Sequence, residues 1–126
     1  FDSVMAAFGM PKETDEQKAA RGAAIQAAYK VAIASPVATA EFCLSVMLLA
    51  ESLLNKSNTN AVSDLAVGAT QAYAGLKGAL ANVQINLPSI KDASYVAEKK
   101  TWADSVEKDA LKLLQTVESE VAKQIG

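Results

Sequence analysis

The 126-residue sequence contains no histidine and a single cysteine, Cys43. The first absence excludes Ser-His-Asp and Cys-His catalysis and leaves a catalytic zinc site of the usual type without its imidazole donors. The second rules out an internal disulfide and fits a reducing, cytoplasmic location. Any acid–base chemistry therefore falls to Asp, Glu, Lys or Tyr with tuned pKa values. No GxGxxG or GxxxxGK[ST] pattern occurs, so no phosphate-cradling loop is indicated. Charge is nearly balanced: 12 Lys and Arg stand against 14 Asp and Glu, for a net charge of −2. With no basic stripe or polybasic block, neither nucleic acid nor a membrane surface is an expected partner. The apolar runs Phe42–Leu44 and Val46–Ala50 are interrupted by Ser45, well short of the roughly 18 residues that span a bilayer. No signal peptide is visible.

What remains is a helical pattern almost throughout. Alanine, leucine, glutamate, lysine and glutamine dominate, and no segment alternates like a strand. Phe1–Phe8 reads as the end of a helix without a preceding cap, and the expected N-terminus lies upstream of Phe1. Pro11 breaks that helix at Met10. Thr14 with Gln17 fits a capping box opening a helix to about Ala34, with Ile25, Ala28, Tyr29, Ala32 and Ile33 on its apolar side. Ser35 followed by Pro36 reads as the cap and first turn of a third helix, reaching Leu54 or Asn55. Being apolar nearly all round, this helix is expected at the centre. Ser63 is the expected cap of a fourth helix that Pro88 ends, with Asp64 in its first turn. A fifth runs from Asp92 or Ser94 to Gln124, burying Trp102, Val106, Leu113, Val117 and Val121. The expected architecture is a single domain over residues 1–126, an all-α antiparallel multi-helix bundle with long helices and short loops.

The fourth helix carries the least ordinary face. Asp64, Gly68, Gln71, Gly75, Gly78, Asn82 and Asn86 fall on one stripe, beside a conventional core stripe of Leu65, Ala69, Ala72, Leu76, Leu80, Val83 and Leu87. A solvated face would carry Glu–Lys pairs, and this one has a single charge. Three helix-interior glycines forgo on the order of 3 kcal/mol against alanine. Two readings stand side by side: a close helix contact, including one between two copies, or the floor of a ligand cleft. In the second, Asn82, Asn86 and Gln71 supply donors and acceptors, and Asp64 a base or an anchor for a cation. Glu41 is a carboxylate on an otherwise apolar helix. Lys18 and Arg21, three residues apart, suit an anionic group. Cys43 and Trp102 read as core.

The segments MPKETDEQKAARGAAIQAA, SPVATAE, NTNAVSDLAVGA and GALANVQINLPSIKD, in this order, resemble the cyclodeaminase–cyclohydrolase family of folate one-carbon metabolism. The resemblance covers roughly residues 1–95. It implies a usually dimeric helical enzyme, cytoplasmic, acting on a tetrahydrofolate-bound one-carbon unit as substrate. No cofactor is held permanently and no metal is required. Members of that family carry an upstream Gly-rich, serine-containing stretch without a counterpart here. The implied reaction is hydrolysis of 5,10-methenyltetrahydrofolate to 10-formyltetrahydrofolate, or cyclisation of 5-formiminotetrahydrofolate with release of ammonia. On this reading Asp64 is the base or stabilises the cationic carbon, with Glu41 a second candidate. Asn82, Asn86 and Gln71 orient the folate, and Lys18 or Arg21 binds its glutamyl carboxylates. A non-catalytic helical dimerisation module is the alternative from a different class.

Overall fold

The computed structural model describes residues 1–126 and contains no strand. Four helices follow one another: α1 (Asp2–Phe8), α2 (Asp15–Leu53), α3 (Val62–Asn86) and α4 (Ala93–Ile125). Single 3-10 turns, Thr59–Ala61 and Leu87–Ser89, lead into and out of α3. The expected capping box opens α2: Thr14 accepts from the Gln17 N–H, and the Gln17 side chain accepts from the Thr14 N–H. Asp92 caps α4 by accepting the Tyr95 N–H.

Two expected boundaries are not where the local signals put them. Ser35 does not cap a new helix; α2 runs unbroken for 39 residues with Pro36 inside it. A proline there removes one N–H of the helical ladder at a cost of about 3 kcal/mol. The helix continues because both sides of the proline are held by packing. Ile33 is fully buried with Val83 and Leu87, and Ala40 is fully buried in the main core. Ser63 is likewise inside α3 rather than at its cap, which falls on Ala61. The chain is turned into α3 one step earlier, where Asn58 Oδ1 accepts the Asn60 N–H and starts the 3-10 turn.

α2 and α3 form a long antiparallel hairpin, and α4 packs across both. Met47, Ala69, Leu76, Ala110 and Val117, each fully buried, mark the main core. α1 folds back onto the start of α2 through Val4, Ala7 and Ala28. Near the other end, Gln124 Nε2 donates to Asn55 Oδ1 (3.1 Å), at the one non-glycine residue with positive φ. An asparagine tolerates that left-handed conformation where most residues do not.

α2 is not the enclosed central helix its composition suggested. One side packs against α3 and α4. The other exposes Val31, Phe42 (73% exposed), Val46, Leu49 and Leu53. Fusion of the two expected helices also lengthens the apolar tract. α2 is long and apolar enough to cross a membrane by length and composition, and most of that apolar tract is not buried.

Candidate functional site

A cleft of about 890 Å³ opens between the middle of α2 and the C-terminal half of α3, closed at one end by α1. α2 lines it with Tyr29, Ala32, Ser35, Pro36 and Thr39, and α3 with Ala79, Asn82, Ile85 and Asn86. Ser89 closes the loop side, and Phe1, just before α1, and Ser3 in its first turn also contribute.

The supports of this cleft are specific. Gln26 clamps the α3–α4 loop with both ends of its amide: Nε2 donates to the Ser89 carbonyl (3.0 Å), and Oε1 accepts the Lys91 N–H (2.8 Å). Arg21 donates twice to the Phe8 carbonyl (3.1 and 3.2 Å) and lies 5.4 Å from the Phe8 ring centroid. The Phe8 ring meets Tyr29 edge-on at 6.4 Å, so the guanidinium, the α1 terminus and a cleft residue form one chain of contacts. Lys30, next to Tyr29, pairs with Asp92 at 2.9 Å. That hydrogen bond, with further ones from the Tyr95 N–H and the Ser94 hydroxyl, holds the Asp92 carboxyl well below its ordinary value of 3.8.

Of the seven site residues expected from sequence, the cleft brings together two, Asn82 and Asn86. Each folds its Nδ2 back onto its own helix, Asn82 to the Gly78 carbonyl (3.1 Å) and Asn86 to the Asn82 carbonyl (2.7 Å). Their Oδ1 atoms therefore remain as acceptors. Gln71 is exposed further back on α3. Asp64 is exposed in the first turn of α3, and 18 residues of helix separate it from Asn82. At 1.5 Å per residue that is about 27 Å. Sharing a stripe is not sharing a site when the helix is this long.

Glu41 is on α2 two residues beyond Thr39. Two residues turn a helix by about 200°, so Thr39 meets the cleft and Glu41 faces away from it. Lys18 pairs with Asp15 (3.4 Å), and Arg21 is taken up by α1. The cleft wall consequently holds no Asp, Glu, Lys or Arg. The residues that sequence reasoning missed are Ser35, Thr39, Ser89 and the clamp Gln26. Only the register of α2 against α3 brings them to one place. The reading of Tyr29 as an apolar-face residue was sound, but it also reaches the cleft.

The three glycines of the stripe divide. A Cβ added to Gly75 would lie 3.1 Å from Cys43 Sγ, so this glycine serves the close α2–α3 contact. Gly68 and Gly78 have nothing within 4 Å. No three Cys, Asp or Glu side chains converge on a point where a metal ion would fit.

The fold and cleft define an all-helical protein with an uncharged, hydrogen-bonding site between two long helices. The model of the formiminotransferase-cyclodeaminase family matches residues 1–105, and the chain belongs to this family. It is 42% identical over 125 residues to methenyltetrahydrofolate cyclohydrolase of Methylorubrum extorquens, covering 96% of this chain and 60% of that protein. It is 34% identical over 110 residues to formimidoyltransferase-cyclodeaminase of Sus scrofa, covering 87% of this chain and 20% of the relative. The Gallus gallus protein of the same name is 35% identical over 98 residues. The chain thus spans 60% of the length of the cyclohydrolase and about a fifth of the cyclodeaminases.

Proposed function

We propose that this chain serves folate one-carbon chemistry as a methenyltetrahydrofolate cyclohydrolase, with the cleft as its folate site. The observation that carries this reading is the 42% identity across 96% of the chain to a protein of that name. Cyclisation of the formimino substrate, the reaction in the name of the more distant relatives, is the neighbouring possibility and differs in releasing ammonia.

In the hydrolysis, water attacks the cationic methenyl carbon and gives up a proton to a base. The hydroxyl so formed gives up its proton as the bond from that carbon to N5 breaks, N5 takes up one proton, and the formyl group stays on N10, with one proton released overall. A carboxylate near the carbon suits both the cation and the proton transfer. Asp64 is the proposed base; Glu41 faces away from the cleft of its own chain. On this reading Asp64 serves the cleft of another copy in a homodimer, since about 27 Å of helix separate it from the asparagines of its own chain.

The apolar stripe of α2 supports such a pairing. Phe42 lies midway between Val31 and Leu53, so two copies packed antiparallel about Phe42 set Val31 of each against Leu53 of the other, in an isologous contact. In that arrangement the level of Asp64 on one copy meets the level of Tyr29 and Ser89 on the other. The stripe is about 33 Å long.

Subunit mixing tests both parts. Asp64→Asn and the double variant Asn82→Ala/Asn86→Ala should each lose methenyltetrahydrofolate hydrolysis by 100-fold or more, followed by its absorbance. Mixed after dissociation, they should recover up to about a quarter of wild-type activity from the one intact site per heterodimer. Heterodimers without recovered activity would remove Asp64 from the shared site. Full turnover by Asp64→Asn alone would remove it as the base.

A further inference from the structure

α1 ends on a carbonyl that the backbone does not satisfy. The last carbonyls of a helix have no partner within it, and a closing 3-10 turn would offer that of Phe8 the N–H of residue 11. That residue is Pro11, which has no N–H. No backbone N–H reaches the Phe8 carbonyl. Both hydrogen bonds it accepts come from one side chain thirteen residues on, Arg21, through Nε at 3.2 Å and Nη2 at 3.1 Å.

The same guanidinium lies 5.4 Å from the Phe8 ring centroid. A planar fork can take a carbonyl and lie against a ring at once, which a lysine ammonium does less well. The Phe8 ring in turn meets Tyr29 at 6.4 Å with its plane at 88° to it. Tyr29 packs against two clusters, the one of Val4, Ala7 and Ala28 that docks α1 and the one of Ile33, Val83 and Leu87 that joins α2 to α3. It also lines the cleft, to which α1 adds Ser3. Arg21 therefore secures one end of the cleft, as Gln26 secures the loop at Ser89.

We infer that Arg21 is a positioning residue for the substrate. It latches the end of α1 onto α2, so that Phe8 holds Tyr29 in the cleft wall, and it acts through Tyr29 rather than by touching the substrate. This rests on the folate reading above and gives Arg21 a task other than binding glutamyl carboxylates.

The test is methenyltetrahydrofolate hydrolysis by the whole chain and by Arg21→Met, Phe8→Leu and the double variant. Arg21→Met keeps the aliphatic stem and removes the donors, and Phe8→Leu keeps the carbonyl and removes the ring. Each should raise KM about 5-fold with kcat within about twofold, because the wall is loosened and the proposed base is untouched. The double variant should raise KM no further than the larger single effect, since both substitutions break one chain of contacts. Arg21→Lys, which can still give the carbonyl a hydrogen bond, should recover part of the loss. Amide exchange in α1 should quicken about 10-fold in Arg21→Met.

An unchanged KM in either single variant would overturn the inference. So would KM effects that multiply in the double variant, which would make Arg21 a direct contact of the substrate. If the wild-type chain does not hydrolyse methenyltetrahydrofolate, the folate reading falls by itself. The latch is then decided by the exchange measurement, and unchanged exchange in Arg21→Met would remove it.

Discussion

Gly68, Gly75 and Gly78 share one stripe of α3 but not one reason. Only Gly75 meets a neighbour, with 3.1 Å between its added Cβ and Cys43 Sγ. Alanine at Gly68 or Gly78 finds open space and removes the backbone entropy that glycine loses in a helix. Each of these two substitutions should stabilise the fold by about 0.5–1 kcal/mol. At Gly75 the same gain is offset by displacing the thiol, and Gly75→Ala should show no net gain. Urea denaturation of the three variants separates the cases, and equal stabilisation by all three would show the Cys43 contact to be loose. The sequence shows the glycines and their spacing but not this division, because a helical wheel lists which residues share a face and not what the face meets.

At the scale of the element, the Thr14–Gln17 cap is legible and the start of α4 narrows to Asp92 or Ser94, whereas the expected cap at Ser63 and the expected break at Ser35 fall inside helices. Thr14 with Gln17 and Asp92 with Tyr95 are local, within four residues, and their side chains satisfy N–H groups that the helix itself cannot. Ser35–Pro36 carries an equally local signal for a helix start, and here the packing of Ile33 and Ala40 prevails. The Asp92 cap is also charged by contact with another element. Lys30 of α2, then the Tyr95 N–H and the Ser94 hydroxyl, hold its carboxyl below the ordinary value of 3.8.

A depressed carboxylate contributes stability above its unfolded value and loses it as pH falls towards the folded one. Stability should therefore decline below about pH 4, and Asp92→Asn should flatten part of that decline while lowering stability at neutral pH. Melting temperatures of the two proteins between pH 2 and 7 measure it. Parallel curves would show that Asp92 contributes nothing to the acid limb. The pair is exposed, so the effect at high salt should be smaller.

At the scale of the whole molecule, α2 leaves Val31, Phe42, Val46, Leu49 and Leu53 exposed along one side. A contiguous apolar face of this length marks an interaction surface. The chain should sediment as a dimer at micromolar concentration, and Phe42→Glu with Leu49→Glu should yield a folded monomer with unchanged helical content. A wild-type monomer would assign the face to a different partner. A dimer indifferent to both charges would place the interface elsewhere.

Helix class, the capped start of α2, the core stripes of α3 and α4 and the family resemblance are determined by the sequence alone. They rest on short-range terms: side chains three or four residues apart, caps within a turn, and residue order. The fused α2, its open apolar face and the cleft are decided only by the tertiary structure. Tyr29, Ser35, Thr39, Asn82 and Ser89 meet because α2 and α3 run antiparallel in one register. For the same reason Asp64, on the stripe of Asn82 by periodicity, stands about 27 Å away along the axis. Periodicity gives the direction of a side chain around a helix. Its depth along the helix, and what stands opposite at that depth, comes from packing.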